Sequence, residues 1–480
     1  MSLPVITVEQ MRDWEAAAWR AGKKEREVIE QVGRIVADYA LAATRSDDRI
    51  LILAGKGNNG NDARAAVGHL LNRKVKLVDV HDPAAAFEEI SRLLEKRPSL
   101  VIDGLFGIGL NRPLSTDWVR LIEKINGANL QLLAIDVPSG LNASTGQPEG
   151  AAVSATTTLT VGAIKRGLLA ETAWNFVGRL EVAPDIGLIP CPISNSQCEL
   201  LFTVESDFVE KFQNPKRPVA SNKGNYGHLA IVAGSLGYHG AAVLSARGAQ
   251  GAHPGLITVI TQPETYVPVA AQLQSSMVHP WPPQMNIEEF ASAITIGPGI
   301  AAKALPGDLP HAAEKWWRDI PKPMIVDASA LSWIESSNDS FTNGPIRVVT
   351  PHPGEAGRML GITAREVQTD RLGAVRKLSE KFGGCWVVLK GHQTLVGRSS
   401  GPVFINSTGN PLMAQGGAGD VLAGFLGGLL AQPDLQKDVE LTIRFGVWAH
   451  GAAADRLSAK FGCWTVEQLA GEVSIKSPTI

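Results

Sequence analysis

Short apolar runs alternate with longer stretches of helical period along most of the chain, and the arrangement occurs twice. In the first half the runs are residues 50–54, 75–80, 100–102 and 132–135, with helix-patterned segments such as 63–71 between them. In the second half they are 228–233, 256–261, 293–296, 324–326, 346–350 and 385–389, with a small-residue helix over 240–252. Such alternation predicts a parallel sheet with helices on its faces. Residues 14–43 predict one or two helices ahead of the first sheet, and 393–397 with 402–406 predict a hairpin in the second. Two prolines in 190–196 and two more in 214–218 punctuate the chain between these halves. The expectation is two doubly wound α/β domains, 1–205 and 206–480, the first Rossmann-like.

A length of 480 residues with 44% hydrophobic side chains supports more than one core. The 45 basic residues nearly balance 47 acidic ones, so nothing in the charge favours nucleic acid or an anionic membrane, and small ligands are expected instead. The longest apolar stretch, 421–431, is short and glycine-rich, and residues 1–20 carry acids where a signal peptide needs an apolar run. The chain is expected to be soluble and cytoplasmic. Cys191, Cys198, Cys385 and Cys463 show no close metal-ligand pairing.

The densest chemical signal is the glycine-rich segment 409–424, which runs into an apolar helical pattern. Gly416, Gly417, Ala418 and Gly419 can present backbone amides to an anion at a helix N-terminus, where the helix dipole adds positive potential. Asp420 follows in the first turn, placed to take a proton from a hydroxyl attacking a phosphoryl group. Read without that chemistry, Asp420 is a helix cap and the glycines a turn. No Gly-x-x-x-x-Gly-Lys-Ser/Thr occurs, which disfavours a P-loop.

In the first half, residues 55–62 form a Gly-x-Gly-x-x-Gly after a predicted strand, with Asp79 near the spacing of a ribose-binding acid. A dehydrogenase is weighed on that pattern, but no hydride-transfer apparatus follows. Asp103 and Asp136 each come directly after an apolar run, and Ser139 lies close behind. At the carboxyl ends of parallel strands, Asn59, Asp103 and Ser139 converge on one crevice, and their oxygens suit a hard cation.

The Gly-Gly-Ala-Gly-Asp segment resembles the anion hole and catalytic aspartate of ribokinase-like proteins, and more narrowly their ADP-dependent NAD(P)H-hydrate dehydratase branch. Lys223-Gly224-Asn225-Tyr226-Gly227, Gly297-Pro298-Gly299, Thr350-Pro351-His352-Pro353-Gly354-Glu355 and Lys390-Gly391 with Thr394 carry the same resemblance in the same order. The first half resembles the NAD(P)H-hydrate epimerase domain, so the chain looks like the bifunctional nicotinamide nucleotide repair family. The resemblance implies that Asn58, Asn59, Gly60, Asn61 and Asp62 contact a hydrated dinucleotide in the first domain. Gly107, Ile108, Gly109, Leu110, Asn111, Arg112, Pro113 and Asp136 join them. Asp136 is the expected acid/base, and Asn59, Asp103 and Ser139 are expected to hold K⁺. In the second domain Ala241, Gly299, His352 and Asp420 are expected to contact the S hydrate. Lys390, Gly391, His392, Gln393, Thr394 and Gly419 are expected to contact ADP (or ATP), accompanied by Mg²⁺. Expected substrates are NADHX, NADPHX and ADP, and the expected assembly is a homo-oligomer.

The sequence departs from the family pattern in places. Asn61 and Ala63 stand where glycines are usual, Ser329 replaces an aspartate, Asn222 a histidine, and Gln415 and Ala418 threonines. Residues 165–168, Lys-Arg-Gly-Leu, again resemble the family; read alone they are a solvated basic turn. A small-molecule kinase, or a first domain that only binds ligand, remains the alternative.

Overall fold

The computed structural model describes every residue except 1, 210, 302–305, 337–340, 342–343 and 476–480. The chain divides into two compact units, Leu3–Cys198 and Glu199–Ile480, with Ser2 assigned to the second.

The first unit holds a parallel sheet of β2 (Arg49–Ala54), β3 (Lys74–Asp79), β4 (Leu100–Gly104), β5 (Leu132–Ile135), β6 (Thr157–Val161) and β8 (Arg179–Ala183) in the order β3-β2-β4-β5-β6-β8. A separate parallel pair joins β1 (Leu3–Ile6) to β7 (Ile164–Lys165). The helices are α1 (Val8–Arg20), α2 (Glu25–Ala43), α3 (Asn58–Val67), α4 (Pro83–Glu95) and α5 (Thr116–Gly127). Ile50 and Ile52 face one core with Val36, Ala37 and Ala40 of α2, while Leu51 and Leu53 face the other with Ile90 of α4 and Ile122 of α5. The strand period of two thus buries both faces of β2, as an uninterrupted apolar run requires.

The second unit holds β9 (Leu200–Phe202), β10 (His228–Val232), β11 (Leu256–Thr261), β12 (Met277–Pro280), β13 (Ala293–Ile296), β14 (Met324–Val326), β15 (Arg347–Val349), β16 (Trp386–Leu389), β17 (Leu395–Gly397) and β18 (Val403–Ile405). Their order is β12-β11-β10-β13-β14-β15-β16-β17-β18-β9, parallel through β16, after which β17 and β18 run as the expected antiparallel hairpin. Five helices matter here: α6 (His239–Gly251), α7 (Pro353–Leu360), α8 (Ala418–Leu430), α9 (Val439–Phe461) and α10 (Val466–Glu472). From Val421 to Leu430 every residue of α8 is buried, which accounts for its unbroken apolar sequence. Glycine lets it pack closely: a Cβ on Gly424 would stand 1.8 Å from the Ser245 carbonyl oxygen of α6. Among the described residues no helix is long and apolar enough to cross a membrane.

Candidate functional sites

In the first unit, the carboxyl ends of β2 to β6 open on a cleft of about 940 Å³. Helix α3 begins at Asn58 with Gly57 as its cap, so residues expected to form a loop before a helix at 63 are already helical. That turns the segment by helical period. Asn58, Asn59 and Asp62 line the cleft together with Gly107, Ile108, Gly109, Leu110, Asn111, Arg112, Pro113 and Asp136. Gly60 instead packs on the preceding turn, where a Cβ would meet the Gly55 carbonyl oxygen at 2.0 Å. Asn61 Oδ1 accepts from Arg64 at 3.0 Å, and the same guanidinium donates to Asp79 at 2.7 Å. The bulkier residue at 61 therefore points at an arginine outside the cleft lining. Asp79, weighed above as a ribose acid, is that arginine's counter-ion.

Asn59, Asp103 and Ser139 meet in one buried network. Asn59 Nδ2 donates to the carbonyls of Phe106 and Ile135 at 2.7 and 3.0 Å. The Ser139 hydroxyl donates to Asp103 Oδ1 at 2.6 Å, and the Ser139 amide donates to Oδ2 at 2.8 Å. Burial pushes the Asp103 carboxyl up to about 6, against the hydrogen bonds from Ser139 and Leu105 that favour its ionised form. No basic side chain hydrogen-bonds it among the described residues. An oxygen-rich pocket around such a carboxylate has the donor chemistry of a hard-cation site.

Asp136 sits at the end of β5 with φ of 64°, a left-handed conformation that aspartate tolerates better than most residues. Its Oδ1 accepts from Lys165 Nζ at 2.5 Å, the Val161 amide at 3.1 Å and the Thr160 hydroxyl at 3.2 Å. Lys165 is wholly buried on β7, lines the cleft and also donates to the Val161 carbonyl at 2.6 Å. It is no solvated turn. Composition gave no hint of this; the family-like 165–168 segment was the available signal.

In the second unit, three neighbouring strand ends supply a charged group. Asp327 follows β14, His352 and Glu355 follow β15, and Lys390 follows β16. Lys390 Nζ lies 2.6 Å from Asp327 Oδ1 and 3.9 Å from Glu355 Oε2. Burial works against its charge, but Asp327, Glu355 and Asp420 outweigh it and hold the ammonium above its ordinary range. The Thr350 hydroxyl donates to Asp327 at 2.7 Å. Glu355 accepts from the His352 amide at 2.8 Å and caps α7, while His352 Nδ1 accepts from the Gly354 amide at 3.0 Å. Asp327 went unassigned in the sequence, although it follows an apolar run just as Asp103 and Asp136 do.

Gly417 caps α8 with φ of 100°, and a Cβ there would strike Leu244 at 2.5 Å. Only glycine fits both constraints. The Ala418 amide reaches the Gln415 carbonyl at a poor 3.4 Å; the amides of Gly416, Gly417 and Gly419 are bonded to no described residue. A Cβ on Gly419 would lie 3.4 Å from Lys390 Nζ, so the ammonium borders this open row of donors. Asp420 is half-buried beside it. Burial, then Asp327, raise its carboxyl to about 7, with Lys390 pulling the other way. Such a group is a base near neutral pH. Ala241 and Gly299 touch, the Cβ that Gly299 lacks falling 2.5 Å from Ala241 Cβ. In the 390–394 turn, Gly391 and Gln393 have φ of 136° and 52°, and the Thr394 hydroxyl donates to the Gly391 carbonyl at 3.0 Å.

A parallel sheet ending in an antiparallel hairpin, with open amides and an acid at the start of a buried glycine-rich helix, defines the second unit as ribokinase-like. The NAD(P)H-hydrate dehydratase family model matches residues 229–476, and that of the YjeF-related protein N-terminus matches 25–91 and 80–167. The bifunctional NAD(P)H-hydrate repair enzyme Nnr of Coxiella burnetii is 33% identical over 479 residues, covering 94% of each chain. Its namesake from Escherichia coli is 32% identical over 486 residues, covering 94% of this chain and 90% of that one. A Bacillus subtilis ADP/ATP-dependent NAD(P)H-hydrate dehydratase co-crystallized with ATP/Mg²⁺ is 27% identical, with a TM-score of 0.47 over 54% of this chain and 91% of that chain. The chain belongs to the bifunctional NAD(P)H-hydrate repair enzyme family.

Proposed function

We propose that the chain repairs hydrated nicotinamide nucleotides at two sites: the N-terminal domain interconverts the R and S hydrates of NADH and NADPH, and the C-terminal domain dehydrates the S hydrate at the expense of ADP. The observation that carries the reading is Asp420, a carboxylate titrating near 7 beside open amides at a helix N-terminus. Asp420 takes the proton of the C6 hydroxyl as that oxygen attacks the β-phosphorus of ADP and AMP departs. The C6–O bond then breaks with loss of phosphate and of the C5 proton, restoring the C5–C6 double bond. The amides of Gly416, Gly417, Ala418 and Gly419 receive the phosphoryl oxygens, and Ala241, Gly299 and His352 border the reduced ring. The adenylate lies along the 390–394 turn.

Among the described residues no three His, Cys, Asp or Glu side chains form a metal cluster. Magnesium commonly arrives with a nucleotide and takes only one or two protein carboxylates. Asp327 and Glu355 fit that need and would hold it; when bound it neutralises charge on the phosphates. In the N-terminal domain Asn59, Asp103 and Ser139 would hold potassium, balancing the buried Asp103.

Mixing the protein with R and S hydrates, ADP and Mg²⁺ tests the reading. Return of the reduced-nicotinamide absorbance with release of AMP and phosphate is expected. Accumulation of a stable phosphorylated product would make it a kinase.

A further inference from the structure

Two carboxylates face the N-terminal cleft in opposite circumstances. Asp136 accepts three hydrogen bonds on Oδ1, one from a buried ammonium. A proton on that carboxyl would cancel the charge that pairs with the ammonium. Asp62, on the first turns of α3, is 8% exposed, lines the cleft and receives no hydrogen bond from any described residue. We propose that Asp62, and not Asp136, is the proton carrier of this site, and that Asp136 is held on the cleft floor by its ion pair with Lys165. The inference rests on the epimerase reading of this domain and assigns its acid.

The charges around Asp62 agree. Helix α1 brings Glu15 and Arg12, α2 brings Glu25, and the strand ends bring Asp136 and Lys165. Lys56, His81 and Arg112 stand on the cleft walls. On α3 itself, Arg64 is turned away to Asp79 and the Gly55 carbonyl. Burial first, then Asp136, Glu15 and Glu25, hold the Asp62 carboxyl well above the ordinary range. A carboxyl kept neutral by its surroundings has a proton to give at neutral pH.

The step balances. Asp62 gives its proton to the C6 hydroxyl; the C6–O bond breaks with its electron pair on oxygen, and water leaves. The lone pair of the ring nitrogen forms the C6–N1 double bond, and the cation so made faces the Asp136 anion. Water then adds to the other face and returns a proton to Asp62, so nothing is consumed.

The full chain, given R hydrate without ADP and followed by chromatography for S hydrate, tests this. D62N is expected to lose about 10² to 10⁴ in rate while its melting temperature at neutral pH rises, because an unpaired buried acid has been removed. D62E is expected to restore part of the rate, with the wild-type fall of rate toward high pH displaced. K165M is expected to lower the rate, since Asp136 then loses the ammonium that holds it in place. If D62N keeps the wild-type rate and pH profile, or if E15Q rather than D62N abolishes conversion, the assignment is overturned. Failure of the wild-type chain to convert R to S would sink the epimerase reading itself, a result distinct from either.

Discussion

Lys390 Nζ lies 2.6 Å from Asp327 Oδ1 and borders the amides that begin α8, so one ammonium links the acids behind the strand ends to the open glycine loop. Its charge acts on Asp420, which would otherwise titrate higher still. The base is set near neutrality by this balance between burial, two other carboxylates and one cation.

Asp420→Asn should abolish the base while leaving the amides in place. Dehydration is expected to drop by about 10² to 10⁴, with ADP binding retained by calorimetry. The folded carboxyl titrates near 7 against an ordinary 3.8. The unfolded chain therefore releases this proton first, and stability that is full below about 3.8 is lost as pH rises through about 7. Asn at 420 removes that loss, so its melting temperature should exceed that of wild type above neutrality and lose the advantage in acid.

Wild-type dehydration should rise with pH through the Asp420 titration and then level off. In Lys390→Met the rising limb should move to higher pH, because the cation that lowers the Asp420 pKa is gone. The same change leaves buried Asp327 without its counter-ion and should cost about 3–5 kcal/mol in urea unfolding. An unmoved pH limb would mean that the ammonium does not face the base.

Gly417→Ala places a Cβ at φ of 100° and 2.5 Å from Leu244. The strained backbone should cost about 1–3 kcal/mol and swing the adjacent amides off line. ADP affinity should fall, whereas Gly462→Ala, where a Cβ meets nothing within 4 Å, should carry the positive-φ penalty without touching ADP.

Potassium should raise the melting temperature relative to a large organic cation at equal ionic strength, since binding only the folded state stabilises it. Asp103→Asn should remove the difference, and Ser139→Ala should diminish it. A potassium effect that survives Asp103→Asn would place the ion elsewhere.

Much of this was legible locally. The apolar runs before Asp103, Asp136 and Lys390 are strands, and the glycine segment before Asp420 does cap a buried helix. Helix α3 began earlier than its pattern indicated because Gly57 can cap it and Asn58 to Asp62 bury small or polar faces that apolar periodicity does not register. Asp327, directly after β14, carries the same local signal as the other two strand-end aspartates.

What the sequence determined by itself is whatever depends on neighbours a few residues apart: strand against helix, the glycine turn, the acid one turn into α8. Strand order decided the rest. Lys390 reaches Asp327 across 63 residues because parallel strands bring their carboxyl ends to one edge, and Lys165 reaches Asp136 across 29 because β7 follows β6, the strand beside β5, by a short turn. Which donors reach a carboxylate there depends on what the folded chain brings alongside it, and no spacing along the chain encodes that.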